Sequence, residues 1–428
     1  MSLALARAAY TLALRLALPL VFARYAWRAR REPAYGAHWG EGVGGVDGTA
    51  RPGRLWLHAV SLGETRAATA LIEALRAQQP GLSLLLTHGT ATGREAGAAL
   101  LRADDAQVWL PLDTPGAVRR FLHHHRAAIG VLMETEVWPN LLFEAQAAGV
   151  PMVLANARLS ARSQAKGDRL AGLMHPALAT FRRVLAQTEA DAARLRASGA
   201  RDVRVMGNLK FDVSLDPALL ERGRQWRMAL GRAVALAAST REGEEGPLLH
   251  AWAQQPAPRP LLLLVPRHPQ RFDAVAAMVA AAGLSLARRS GWGDAPPPQA
   301  HAADVWLGDS LGEMPLYYAA AEVALLGGSY APLGGQNLIE AAACGCPLLM
   351  GPHTFNFAQA AELALAAGAA ERVATLEQAV ARALQLCGDA ALPAWRARAL
   401  AFAAQHRGAA QRMAAAVLAL IPPARIEA

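Results

Sequence analysis

The sequence predicts an α/β protein made of two successive sheet domains, and three observations predict it. From residue 54 onward, short apolar runs alternate with segments of helical periodicity, the signature of βαβ units and parallel sheets. The alternation pauses once, at Gly207-Asn208-Leu209-Lys210-Phe211-Asp212, and resumes at Ala233 with a second series of similar size. Late in that second series, residues 325–357 read as a strand, a glycine-rich loop, a helix and another strand. A chain of 428 residues has room for two or three domains and their cores. The expected division is 1–31 for an N-terminal helix with a basic flank, 32–212 for the first α/β domain and 213–428 for the second.

Composition narrows the function classes. Apolar residues make up 53% and charged ones 18%, which describes a globular rather than a disordered chain. The formal net charge is +9, which suits nucleic acid, an anionic membrane surface or an anionic substrate. The positive charge is dispersed and lacks interleaved aromatics, which speaks against nucleic acid. Cys344, Cys346 and Cys387 form no disulfide or metal framework, and a reducing compartment is the simplest reading.

The segment 1–23 is strongly apolar but carries Arg7, Arg15 and Pro19, so its charge-free runs fall short of the ~20 residues that span a bilayer. Arg24, Arg28, Arg30 and Arg31 follow, with Tyr25 and Trp27 between them. A cationic cluster behind an apolar segment keeps the following chain cytoplasmic, and the aromatics suit an interface. A cleaved signal peptide would carry its charge ahead of the apolar part. The segment is expected to be an amphipathic membrane anchor, in-plane or marginally spanning; a soluble helix docked on the core is the competing reading. Residues 36–53, rich in glycine, read as a connector.

Strands are expected at 55–60, 82–88, 107–110, 128–133, 150–155, 183–187 and 203–206 in the first domain. In the second they are expected at 233–238, 260–265, 283–287, 304–307, 323–326 and 347–350. The tract 291–302, with three consecutive prolines, reads as an exposed loop. Sheets of this class bind ligands beyond the carboxyl ends of their strands. The residues just after each strand are therefore the candidates.

Five stretches fit that rule. In His58-Ala59-Val60-Ser61-Leu62-Gly63-Glu64, Glu64 stands at the start of a helix where a general base facing an interdomain cleft would sit. The competing reading is a helix with a favourable N-terminal carboxylate. In Met133-Glu134-Thr135-Glu136-Val137-Trp138-Pro139-Asn140, Glu134 lies at the buried end of a strand and needs a cationic partner; Pro139 suits the first turn of the next helix. Lys210, at the pause, can neutralise a phosphate or carboxylate, or be a surface residue. Pro266-Arg267 ends an apolar strand, and the Arg267 fork suits phosphate. In Gly308-Asp309-Ser310-Leu311-Gly312-Glu313, amides near Gly312 can touch a base or ribose. His123-His124-His125 point in different directions on a helix and are read as surface residues, not as a metal site.

The richest stretch is 325–357. Gly327, Gly328, Gly334 and Gly335 permit close backbone approach. Gln336-Asn337-Leu338-Ile339-Glu340 then opens a helix. A glycine loop at a helix N-terminus offers free amides to an anion, and Glu340, one turn in, can accept hydrogen bonds from a ribose diol. Phosphate at the amides with ribose at the carboxylate describes a nucleotide-sugar site. An ordinary glycine-rich turn with a capping glutamate remains the alternative.

Seven motifs in order, HAVSLGE, METEVWPN, ANARLSARS (155–163), GNLKFD, PRHPQRF, GDSLGEM and the 327–357 stretch, together resemble the 3-deoxy-D-manno-octulosonic acid (Kdo) transferases of lipopolysaccharide synthesis. The resemblance covers nearly the whole chain. It implies a GT-B fold with two Rossmann-like domains facing a cleft, CMP-Kdo as donor, and a lipid A precursor, lipid IVA, as acceptor at the cytoplasmic face of the inner membrane. It implies direct displacement with inversion and no metal cofactor. Carried over, Glu64 becomes the base, and Glu134 and Lys210 stabilise the transition state. Pro266, Arg267, Leu311, Gly312, Glu313, Asn337, Leu338, Ile339 and Glu340 become the CMP-binding groups. Two positions depart from the family pattern. His-Asn-Pro-Leu-Glu is more usual where this chain has Gln336 to Glu340, and Met is frequent at Leu311. Another nucleotide-sugar transferase or an epimerase on the same fold is the nearest alternative, although a soluble epimerase would have no use for an N-terminal anchor. A non-catalytic membrane-surface protein is the more distant one.

Overall fold

The structure is a computed structural model and describes residues 2–45 and 51–421. It divides into two compact units, Met1–Asp212 together with Gly408–Ala428, and Val213–Arg407. The break at Asp212 falls where the alternation pauses, but the tail corrects the reading that ran the second domain to the last residue. The Ala409–Leu418 helix packs in the first unit, where Met413 and Val417 share a core with Leu71 and Leu75 of the Leu62–Gln78 helix. Alanines at 409, 410 and 414 leave no bulk between the two helices, and the Asp212 carboxylate accepts from the Ala410 amide at 2.6 Å.

The first unit holds a seven-stranded, all-parallel sheet. Its strands are β1 (Leu55–His58), β2 (Leu84–His88), β3 (Ala106–Trp109), β4 (Ile129–Met133), β5 (Met152–Ala157), β6 (Arg183–Ala186) and β7 (Val203–Val205), in the order β3-β2-β1-β4-β5-β6-β7. Helices cover both faces, so the central strands read as unbroken apolar runs rather than alternating ones. Leu57, paired with Leu86 on one side and Val131 on the other, is 1% exposed.

The second unit repeats the plan. Its strands are β8 (Val234–Thr240), β9 (Leu261–Pro266), β10 (Leu286–Arg288), β11 (Val305–Leu307), β12 (Val323–Leu326), β13 (Leu348–Met350) and β14 (Ala370–Arg372). They run parallel in the order β10-β11-β9-β8-β12-β13-β14. Every expected strand is present within a few residues, and β14 is the addition. Three residues in an alanine-rich sequence carry no strand pattern of their own. The tract 291–302 is largely the exposed loop expected, but it is pinned at two points. Pro296 and Ala300 are buried, and Trp292 packs edge-on to Trp306 with ring centroids 4.8 Å apart.

The N-terminal helix, Leu3–Ala29, is about 40 Å long by its rise per residue. It is docked and apolar at once. Arg7, Tyr10 and Thr11, one turn apart on one face, meet the Pro139–Ala147 helix and the loop after β3. The Tyr10 hydroxyl donates to Asp113 at 2.8 Å, and Arg7 Nε donates to Asn140 Oδ1 at 2.9 Å. The opposite face leaves Leu12, Leu16 and Leu20 exposed by 58, 72 and 74%. The helix is long and apolar enough to cross a membrane, with 11% of its most apolar window buried.

Candidate active site

The two sheets place the candidate residues at equivalent points. Strand order reverses between β1 and β4 in the first sheet and between β8 and β12 in the second. Outside the carboxyl ends of such neighbours a crevice opens, because the flanking connections leave to opposite sides. Glu64 follows β1 and Glu134 follows β4. Arg267 follows β9, the neighbour of β8, and the glycine loop follows β12.

Ser61 caps the Leu62–Gln78 helix, and Glu64 turns back over it. The Val60 amide donates to Glu64 Oε2 at 2.8 Å and the Ser61 hydroxyl to Oε1 at 3.3 Å. This is close to a capping box, with the Val60 amide in place of that of Ser61, and it bears out the reading of Glu64 as a favourable N-terminal carboxylate. Burial pushes its carboxyl up to about 7, the Val60 bond opposes that, and the like charges of Glu134 and Glu136 add to it. A carboxylate that titrates near neutrality is suited to accept a proton there.

Glu134 ends β4 in the left-handed region, with φ 57°. A non-glycine residue held there costs on the order of 1 kcal/mol, and its neighbours fix it. Its amide donates to Ala155 at 2.9 Å, its carbonyl accepts from Arg158, and its buried carboxylate lies 3.0 Å from Arg158 Nε. Arg158 is the partner that a carboxylate at this buried edge requires. It lies in the 155–163 motif, but nothing in its spacing marks it for Glu134. Glu136 is also raised by burial, while the Trp138 indole donates to it at 2.7 Å.

Lys210 sits in a short turn, Leu209–Phe211, after β7. A chain of amide side chains holds that turn. Asn156, fully buried with φ 53°, accepts from the Leu209 amide at 3.1 Å. Gln187 donates to the Asn156 carbonyl, Asn208 donates to Gln187, and Asn208 Oδ1 accepts from the Lys210 amide at 3.0 Å.

In the second unit the loops after β8 and β9 gather positive charge. Desolvation and the nearby guanidiniums of Arg241, Arg267 and Arg271 together hold His268 below its ordinary value. Arg271 is committed to Glu245 at 3.2 Å. The guanidiniums of Arg241 and Arg267 have no carboxylate partner among the described residues. Pro266 closes β9, and the Arg267 amide donates to Thr240 at 2.9 Å, which fixes where its side chain departs.

The glycine loop is shaped by an acid that sequence reading missed. Glu244, 2% exposed, accepts from the amides of Arg241, Gly328 and Tyr330 at 2.9, 2.7 and 3.3 Å. The pair Glu244-Glu245 just after a strand is a signal that could have found it. Gly327 has no room for a side chain, since a Cβ would lie 2.3 Å from the Ser239 carbonyl oxygen. The Leu338–Ala343 helix has only six residues, so its dipole is smaller than the sequence reading assumed. Asn337 caps it and accepts from the Ile339 amide at 3.1 Å. Leu338 and Ile339 are fully buried, so their side chains belong to the core, which leaves the backbone as the part of them that a ligand could meet. The Glu340 carboxylate makes no hydrogen bond to any described residue, and burial alone raises its pKa. It is open to a diol.

The Glu313 side chain is taken within the protein. Its carboxylate receives Arg289 at 2.8 and 3.0 Å and the Ser310 hydroxyl at 2.6 Å. Burial raises it, but these bonds outweigh burial and leave it below its ordinary value. What remains for a ligand at 311–313 is Leu311, 73% exposed, and the backbone at Gly312, with φ 80°. The reading of the three histidines as surface residues also fails at one of them. His125 is buried against Phe121, with ring centroids 4.6 Å apart, and burial pushes it down to about 4.

Comparison with known proteins now bears on these sites. The family model described as 3-Deoxy-D-manno-octulosonic-acid transferase (kdotransferase) matches residues 37–213. The 3-deoxy-D-manno-octulosonic acid transferase of Bordetella pertussis is 50% identical over 424 residues, covering 95% of this chain and 97% of its own. The chain belongs to the Kdo transferase family. The Haemophilus influenzae Kdo transferase is 33% identical over 358 residues, 81% of this chain and 82% of its own. Among solved structures, Anabaena Alr3699/HepE in complex with UDP superposes with a TM-score of 0.53 at 16% identity, covering 86% of this chain and 99% of that one. A glycosyltransferase from Rickettsia africae gives 0.55 at 10% identity, over 87% and 100%. These two share the fold, and with two parallel seven-stranded sheets this Kdo transferase has the GT-B architecture. It is a glycosyltransferase that moves Kdo in lipopolysaccharide synthesis.

Proposed function

We propose that this Kdo transferase takes Kdo from CMP-Kdo and delivers it, with inversion, to a lipid A precursor of the lipid IVA type. The observation that carries the reading is Glu64: a carboxylate pushed up to about 7 at the carboxyl end of β1, in the switch-point crevice of the first sheet. As general base it removes the proton of the acceptor hydroxyl, which attacks the anomeric carbon of Kdo as the bond to CMP breaks. Glu134, held by Arg158, and Lys210, held through Asn156 and Asn208, flank that event; Lys210 pairs with the Kdo carboxylate or the developing charge. Arg267, with the backbone near Gly312 and Gly334 to Asn337, receives the cytidine monophosphate, and Glu340 accepts from the ribose diol.

The donor has one phosphate, and the leaving group's added charge is met by guanidinium and amide donors, so we assign no metal cofactor. The Leu3–Ala29 helix lies in the plane of the inner membrane's cytoplasmic face, with Leu12, Leu16 and Leu20 in the lipid. Arg24, Arg28, Arg30 and Arg31 add attraction to anionic headgroups of about 1 kcal/mol each. The test is a transfer assay with CMP-Kdo and purified lipid A precursor, read by mass spectrometry with and without EDTA. A product heavier by one Kdo that persists in EDTA is expected. Transfer to no acylated acceptor would overturn the acceptor assignment, and loss of product in EDTA the metal-free one.

A further inference from the structure

Beside Glu64, a cavity of about 230 Å³ opens at the carboxyl edge of the first sheet, in the loops after β1, β2 and β3. Its walls are aromatic and aliphatic: Phe22 and Tyr25 from the N-terminal helix, Tyr35, Trp109, Leu112 and Trp138. One end reaches Val60, whose amide holds Glu64. The helix that supplies Phe22 and Tyr25 turns its bare leucines the other way, so the cavity connects the apolar helix with the loop of the base. Asp113 lines it too, but its oxygens are taken by Tyr10 and by the amides of Asn140 and Leu141. An apolar cavity of about 150 Å³ is already large enough to bind benzene, so this one accommodates a hydrocarbon segment.

Three polar atoms of its lining residues lack a partner among the described residues: the Tyr35 hydroxyl, His88 Nε2 and His58 Nε2. The His58 ring is fully buried and lines the cavity. Its Nδ1 is satisfied by Thr87, 3.0 Å from the carbonyl oxygen and 2.9 Å from the hydroxyl. Burial and the neighbouring His88 keep the ring neutral. Nε2 has no partner among the described residues. A buried polar atom left unpaired is costly, and a hydroxyl on a bound molecule, donor and acceptor at once, relieves it.

We propose that this cavity binds an acyl chain of the lipid acceptor, with a chain hydroxyl hydrogen-bonded to His58 Nε2. The inference rests on the acceptor reading above and deepens it. It makes the enzyme select its acceptor by a hydroxylated chain beside the base as well as by its sugar.

The test uses the full chain, CMP-Kdo and three acceptors: the phosphorylated disaccharide with 3-hydroxyacyl chains, the same with plain acyl chains, and the deacylated form. The wild type is expected to show its lowest KM with the hydroxylated acceptor. Ala37, which lines the cavity and is itself exposed, is replaced by tryptophan to narrow it. Ala37→Trp should raise KM for the acylated acceptors by roughly tenfold, the value of about two buried methylenes, and leave KM for the donor and for the deacylated acceptor unchanged. His58→Phe should remove the preference for the hydroxylated chain. A brominated chain on the acceptor should quench wild-type tryptophan fluorescence more than that of Trp109→Phe/Trp138→Phe, a readout independent of turnover. Equal quenching, or a KM change shared by all three acceptors, overturns the cavity. Equal wild-type KM for hydroxylated and plain chains overturns the role of His58. If the wild type transfers Kdo to neither acylated acceptor, the acceptor reading itself falls, and the cavity with it.

Discussion

The Val60 amide donates to Glu64 Oε2 at 2.8 Å, so the carboxylate proposed as base is also the one that closes the first turn of its helix. This bond orients the carboxylate, and burial and its acidic neighbours keep it basic. Replacing Glu64 by Gln keeps one acceptor for the cap and removes the base. The expected result is a fall in kcat of about 10²–10⁴-fold with little change in the donor's KM. Steady-state kinetics on a folded Glu64→Gln protein decide it, and full turnover would remove the base assignment.

The titration of Glu64 sets a pH dependence. The base works when ionised, so log(kcat/KM) should rise with unit slope and level off at about pH 7. The Glu136 carboxylate contributes to that high value by like-charge repulsion. Glu136→Gln removes the repulsion, stabilises the ionised Glu64, and should move the acid limb to lower pH. A limb that stays in place or moves up would contradict the coupling.

Asn156 is a positioning residue for Lys210. Asn156→Ala loses the bond to the Leu209 amide and puts alanine at φ 53°. Asn156→Gly restores the backbone freedom but not the side chain. If the side chain matters, both variants should show kcat reduced by about tenfold, the worth of ~1.4 kcal/mol in the transition state. Only the alanine variant should lose additional thermal stability. Recovery of kcat by glycine would assign Asn156 to backbone shape alone.

Glu244 should separate the donor site from the chemistry. Glu244→Gln leaves at least one of three buried amides without an acceptor, each worth roughly 1–3 kcal/mol. The glycine loop should loosen, the melting temperature should drop by several degrees, and KM for CMP-Kdo should rise with KM for the acceptor unchanged. Calorimetry and isothermal titration with CMP give the two numbers.

The exposed leucines test the membrane reading. Replacing Leu12, Leu16 and Leu20 together by serine removes three large apolar side chains, each worth roughly 1.5–3 kcal/mol when buried. Flotation with vesicles of inner-membrane lipid composition should show most of the protein released, with activity on a deacylated, soluble acceptor retained.

Much of the fold is legible because parallel strands buried on both faces leave unbroken apolar runs, and thirteen strands were expected from them. The exceptions have physical reasons. Strand β14 has three residues. The tail helix is alanine-rich like the helices of the second unit, and sequence cannot say which sheet an alanine face meets. The candidate site was legible where a polar group follows a strand or the glycine loop, at Glu64, Glu134, Arg267 and Glu340. It was not legible where a polar group works through backbone amides, as at Glu244, or where burial decides which atoms remain free, as at Leu338, Ile339 and Glu313.

The return of the Ala409–Leu418 helix to the first unit carries a consequence for biogenesis. The half that holds Glu64 is interrupted in sequence by the whole of Val213–Arg407 and is finished only by residues near the C-terminus. On the ribosome, the Val213–Arg407 unit is complete and free to fold while the first unit still lacks the helix that seals Leu71 and Leu75. A message truncated near its end therefore yields a chain whose second unit is intact and whose first unit has a core that stands open.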